Sequence, residues 1–367
     1  MENETDRDRR SSALAQKKLP DLDAVASWVL GFGLIVFLGA NGGGYSIDLF
    51  GQLGAFAWLL LILGAVLGLF PVGRPGRQAW AGAGLLVALL AWACLGLLWT
   101  DSPDKTLVEI ARLSTYAAIF VLAVAARGRD ALSTQIGALA AGITVIAGIA
   151  LLSRFQPDLF PSATETGRVL TAEAARLSFP LNYWNGLGAL LAIGLPSLLQ
   201  VAGSARLALP VRLIATGAVP ILVLALYFTF SRGGLLAAMI AVAAFLALTT
   251  DRLAKAAASA IGIAGGLALI LLAHARPDIR EGLINSAAHQ QAHQMMWLPV
   301  LVCVLTGLAA WAMLRLTAGR RRPRWLRPSR RQALTGAAVA ATVVLIGLVA
   351  AGAPGKASDG WASFKSS

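Results

Sequence analysis

Long apolar runs alternate with short polar breaks from residue 22 to residue 353. A bilayer core about 30 Å thick takes about 20 apolar residues per helix, with a usable range of roughly 17–25. The chain offers about eleven runs near that length: 22–40, 53–72, 79–99, 113–126, 133–153, 186–203, 213–230, 235–250, 256–273, 295–314 and 333–353. The fourth and eighth are the shortest. Backbone groups in lipid must satisfy one another, which leaves helices or a closed barrel. No run alternates with period two, so the pattern predicts an all-α, polytopic integral membrane protein with about eleven transmembrane helices. A cytoplasmic N-terminal tail, 1–21, precedes a transmembrane helical domain, 22–353, and an external C-terminal tail, 354–367, follows it. The first tail is polar and mixed in charge, and no short apolar region with a small-residue cleavage site comes after it. The first run therefore reads as an uncleaved span.

Composition narrows the class. Of 367 residues, 57% are hydrophobic and 13% charged, with a mean hydropathy of +0.71. Soluble domains carry about 25% charged residues, so a water-soluble enzyme is excluded. Intrinsic disorder fails on the same numbers. The net charge of +13 raises nucleic acid as a partner, and the placement of the charges decides the matter. With the N-terminus cytoplasmic, 21 of the 31 lysines and arginines fall in cytoplasmic segments, as the positive-inside rule requires. Basic residues exceed acidic ones by 13 on that side and balance them outside. The excess is a topology signal, so no nucleic acid is expected, and the odd number of spans puts the C-terminus outside. The dense run from Arg320 to Arg331 matches nucleic-acid binding by composition. Its position just inside two spans fits contact with anionic membrane lipids better.

The external segments carry the candidate chemistry. The longest ends in Phe179, Pro180, Leu181, Asn182, Tyr183, Trp184 and Asn185. Tyrosine and tryptophan favour the headgroup level, so one reading is an interfacial belt. The flanking asparagines support a second reading, a sugar-binding surface, with amides for hydroxyls and aromatic faces for ring C–H groups. Both stay open on composition. Further on, Tyr227-Phe-Thr-Phe-Ser231-Arg232-Gly-Gly234 puts an arginine between two apolar spans with almost no loop. An ionisable group at that depth marks a site facing the protein interior or an aqueous cavity, and the five-donor guanidinium suits a phosphate. Snorkelling to external headgroups is the plain alternative.

Other candidates are weaker. Asp101, in Trp99-Thr-Asp-Ser-Pro-Asp104, can orient a basic partner, yet Asp and Ser beside Pro are ordinary helix-start signals. His289 and His293 share a helical face, but no glutamate stands between them and no third ligand is evident, so no metal is expected. Cys94 and Cys303 lie in apolar runs without CxxC partners and read as small buried hydrophobes. Gly262, Gly265 and Gly266 are small residues of the kind that let helices approach closely, and coding bias explains them equally well.

Taken together, Arg176–Pro196 (RLSFPLNYWNGLGALLAIGLP), Leu226–Ala237 (LYFTFSRGGLLA) and Leu97–Tyr116 (LLWTDSPDKTLVEIARLSTY) resemble the O-antigen ligase and polymerase superfamily of bacterial membrane glycosyltransferases. Order and spacing, from about residue 55 onward, carry the resemblance more than any single motif. It implies a multi-pass protein of the bacterial inner membrane that transfers a glycan from a polyprenyl-diphosphate carrier to a lipid or saccharide acceptor on the outer face. It implies no cofactor and no metal, since the lipid diphosphate is the leaving group. Arg232 corresponds to the arginine of the family's S-R-G motif and would bind that diphosphate. Ser231, Arg176, Asn182, Tyr183, Trp184 and Asn185 complete the expected substrate-binding set, with Asp101 secondary. Family members also carry a large external loop with a histidine proposed as catalytic base, followed by more helices. The stretch GAPGKASDGWASFKSS resembles the beginning of that loop, so no catalytic residue is carried over. The same arginine would also serve a transporter or flippase of a lipid-linked or anionic substrate, and a non-catalytic partner of a polysaccharide assembly complex is the third expectation.

Overall fold

An apolar run of this length closes its backbone hydrogen bonds within itself as a helix. A computed structural model of the chain describes residues 22–68, 76–125, 131–160, 175–282 and 286–317, and every regular element among them is helical. The chain divides at Gly142 into two units. The first holds α1 (Leu22–Ala40), α2 (Ile47–Val66), α3 (Arg77–Gly96), α4 (Pro103–Ala125) and the start of α5 (Ala131–Phe155). The second holds the rest of α5, then α6 (Trp184–Gly203), α7 (Leu209–Phe228), α8 (Arg232–Leu248), α9 (Arg252–His274), the short α10 (Pro277–Glu281) and α11 (Ser286–Thr317).

Eight of these helices, α2 to α7 with α9 and α11, are long and apolar enough to cross a membrane. The chain has the build of a multi-pass membrane protein. The apolar stretches of α1 and α8 are shorter, at 17 residues for α8. Each of the first ten expected runs coincides with one apolar helix. The eleventh run, the arginine-rich segment before it and both tails lie outside the described residues.

Of the helices that start ahead of the apolar pattern, α4 and α11 do so by the most. α4 begins at Pro103, not residue 113, because its first turns are charged yet helical. Arg112 pairs with Glu109 at 2.6 Å and lies 5.0 Å from the ring centres of both Tyr45 and Phe50, a cation–π arrangement that accommodates the charge beside α2. α11 begins at Ser286, so the histidine–glutamine stretch continues the helix. At 32 residues it extends about 48 Å, well beyond a hydrocarbon core of about 30 Å.

In the first unit, α4 packs against α2 and α3. α2 meets α4 where Thr115 Oγ1 donates to the Phe50 carbonyl at 3.2 Å and Trp58 Nε1 to Ser114 Oγ at 3.0 Å, over Ala57, Leu61 and Ala118. The second unit is denser: 56% of the apolar window of α6 is buried, against 6% for α3. α7 runs between α6, α9 and α11. A Cβ on Gly262 or Gly266 of α9 would lie 2.8 or 2.5 Å from Val219 or Val223 of α7, and one on Gly265 would lie 2.4 Å from Thr306 Oγ1. These glycines are therefore demanded by packing. In lipid, where apolar burial drives little helix association, such close approach supplies the attraction.

Candidate functional site

α6 and α8 cross just inside their N-termini at Gly188 and Gly234, with the Ser231 side chain beside the contact. A Cβ on Gly188 would lie 3.3 Å from Gly234 Cα, and one on Gly234 would lie 2.9 Å from Gly188 Cα. That crossing brings together the two segments the sequence singles out. Ser231 Oγ donates to Asn185 Oδ1 at 2.7 Å and accepts from the Gly234 N–H at 3.0 Å. The second bond makes Ser231 the N-cap of α8 and satisfies one of its orphan amides. Behind it, the Ser231 N–H donates to Thr229 Oγ1 at 3.2 Å, and the Thr229 hydroxyl donates to the Leu226 carbonyl at 2.7 Å. Both side chains are buried. Phe230, between them, has φ of 48°, a conformation that a bulky residue adopts only under outside constraint.

The segment before α6 is tied to the same place. The Leu177 N–H donates to the Phe228 carbonyl at 2.8 Å. Arg154, in the last turn of α5, donates to the Ala175 carbonyl, and its guanidinium lies 5.6 Å from the centre of the buried Phe228 ring. The Phe179 ring meets Phe160 at 5.2 Å. Thus the ends of α5 and α7 and the starts of α6 and α8 share one corner of the second unit.

The four-residue run Asn182–Asn185 divides in two. Asn182, at φ 59°, and Tyr183 project outward. Trp184 is half-buried, with the Arg176 guanidinium 4.8 Å from its ring, so that face of the indole is covered. Asn185 has its amide oxygen on Ser231, and its Nδ2 lies 3.4 Å from the Tyr183 hydroxyl. Asn182, Tyr183 and Asn185 are exposed, and Trp184 is half-buried behind them. Arg176 is exposed beside them.

Arg232 departs from expectation. It is not sunk in the protein interior: it is the first residue of α8 and its side chain is exposed. The turn from α7 is short, but it lies at the end of the bundle, and the inward-facing position there belongs to Ser231. Arg154, at the close of an apolar span, is the enclosed arginine, and only its place at the head of the external segment signalled it in the sequence. The other expectations fall elsewhere. Asp101 is exposed in the first unit and does not begin α4, whose first amide bonds run to the Ser102 carbonyl, with Thr100 Oγ1 bracing the turn at 3.2 Å from the Ser102 N–H. Cys94 is exposed, contrary to the reading of both cysteines as buried, while Cys303 is half-buried. His289 and His293 are exposed on α11, with His289 Nδ1 4.0 Å from Asp158 Oδ2. Among the described residues no group of three metal-ligating side chains comes together. Beside them, Asp278 and Ile279 of α10 bond to Gln291 of α11, and Tyr227 hydroxyl meets His274 Nδ1 at 3.2 Å.

Chemically, the corner offers an exposed guanidinium at the N-terminus of a 17-residue helix, where the macrodipole also favours anions. A second exposed arginine, an amide and a phenol ring stand across the crossing. No protein-family model, no curated protein and no solved structure matches the chain.

Proposed function

We propose that this chain is a membrane glycosyltransferase of the O-antigen ligase type, acting in cell-envelope polysaccharide synthesis at the bacterial cytoplasmic membrane. It takes a glycan from a polyprenyl-diphosphate carrier and passes it to an acceptor on the outer face. The observation that carries this reading is the Asn185–Ser231–Gly234 junction, which puts the two motif segments side by side with Arg232 exposed at their meeting point. The lysine and arginine bias sets the N-terminus in the cytoplasm, and this corner then faces outward.

In the reaction the bond from the sugar's anomeric carbon to the diphosphate oxygen breaks, and a bond to the acceptor oxygen forms. Negative charge gathers on the departing diphosphate. Arg232 and the first amides of α8 meet that charge where it develops, which is where preorganised donors accelerate most. Asn182 and Tyr183 offer hydrogen bonds and a stacking face to the adjoining sugar. The acceptor hydroxyl gives up its proton to solvent as the new bond forms.

The test is glycan transfer in cells with Arg232→Lys and Arg232→Ala at matched protein levels. Lysine keeps the charge but loses the bidentate fork, so transfer falls in both and further in alanine. Unchanged transfer in both variants would sink the assignment. A carrier flipping between leaflets in vesicles without acceptor, abolished by Arg232→Ala, would replace transfer with transport. An intact assembly complex that needs the chain but not Arg232 would make it a non-catalytic partner.

A further inference from the structure

The segment bearing Arg176, Asn182 and Tyr183 has little internal structure to hold it: among residues 175–183 there is no regular helix or strand. Contacts to other elements hold it, among them the bond from Arg154 to the Ala175 carbonyl and that from the Leu177 N–H to the Phe228 carbonyl. We infer that Arg154 is a positioning residue for the ligand site, clamping the start of this segment against the end of α7. The inference rests on the reading of Arg176, Arg232 and their neighbours as a diphosphate-sugar site.

Three observations carry it. Arg154 donates to the Ala175 carbonyl, one residue before Arg176. Its guanidinium lies over the ring of Phe228, whose own carbonyl receives the Leu177 N–H at 2.8 Å. Phe155, the next residue, meets the same ring edge-on at 6.3 Å. Arg154 thus links α5, the segment and α7 within a few residues of Thr229 and Ser231. A charge in this half-buried place is a poor choice for bundle stability alone, because removing a guanidinium from water is costly and a well-packed apolar side chain does at least as well. What an apolar residue lacks is a directed donor for the Ala175 carbonyl, and charge-assisted bonds of this kind are the strong ones.

The test uses the full chain in lipid nanodiscs, with Arg154→Met, which keeps the apolar stem, and Arg154→Lys, which keeps the charge. Amide hydrogen exchange is followed over residues 175–183 and over α7, and inorganic pyrophosphate is titrated as the probe. Arg154→Met should speed exchange at Leu177 about tenfold, the effect of losing one charge-assisted bond, while α7 exchanges as before. Pyrophosphate affinity should fall by a similar factor, and Arg154→Lys should recover part of both. Unchanged exchange at 175–183 in both variants overturns the clamp. Equal loss of protection in α7 also overturns it, since Arg154 is then a general structural residue. Should the methionine variant not fold, the lysine variant decides, with partial loss confined to 175–183 as the expected result. If wild-type protein ignores pyrophosphate while the exchange result holds, the ligand reading fails and the clamp stands.

Discussion

At one end of the second unit, cations are tied to the protein. Arg212 Nε donates to the Ala202 carbonyl at 3.4 Å. Arg252 donates to the carbonyls of Ala247 and Thr249 at 2.8 and 3.2 Å, and the buried Lys255 donates to Thr249 Oγ1. At the other end, Arg232 is exposed, and Arg176, also exposed, lies against the Trp184 ring. Helix direction explains the difference. α6 and α8 finish at the first end, where orphan carbonyls attract donors, and begin at the second, where the orphans are N–H groups that no cation can satisfy. Ser231 caps there instead. Arginines beside those helix starts have no such carbonyls to bond. The rule holds even within that end: Arg154 and Arg276 lie near the ends of α5 and α9 and do bond to carbonyls, Ala175 and Leu272.

This contrast can be broken experimentally. Arg232→Ala should reduce transfer most, by about 10²–10³-fold if it acts as a preorganised donor to the leaving group, with thermal stability in detergent unchanged. A comparable loss from Arg252→Gln would erase the distinction between the ends. Next comes Gly234→Ala. The added methyl would sit 2.9 Å from the Gly188 backbone, and forcing these helices apart should cost about 1–3 kcal/mol, seen as a lower unfolding temperature together with lost transfer. Ser231→Ala removes the cap of α8 and the partner of Asn185, a change of about 1 kcal/mol in unfolding experiments, and transfer should fall as Arg232 loses its register. Arg212→Gln is expected to lower stability by about 0.3–1 kcal/mol, the worth of a cation at a helix C-terminus, with transfer retained. His289→Gln should be the smallest, within about 0.5 kcal/mol, since the exposed 4.0 Å pair with Asp158 is weak.

Much of the fold was legible as hydrophobicity alone. Ten of the expected runs are helices because lipid leaves an apolar backbone no other partner. The starts of α4 and α11 were missed for the complementary reason: their first turns carry Asp104, Glu109 and Arg112, or His289, Gln290 and His293. A count of apolar residues does not register helix that continues beyond the hydrocarbon. In the candidate site, Ser231, Arg232 and the Asn182–Asn185 run were visible as polar residues where polarity is expensive. Arg154 was not, because nothing in local sequence ties it to a carbonyl at Ala175 or a ring at Phe228.

By itself the sequence determined that the chain lives among lipids, where its helices lie and which residues are chemically costly enough to deserve a role. Only the tertiary structure decided how those residues divide their work. Asn185, though exposed, reaches Ser231 because Gly188 and Gly234 let two backbones touch. Arg232 faces outward because Ser231 occupies the inward position. Arg154, neither motif nor anomaly in the sequence, lies at the centre of the corner. The physical reason is range: hydropathy is a property of each segment against its solvent, whereas capping, close approach and the reach of a guanidinium depend on which segments meet.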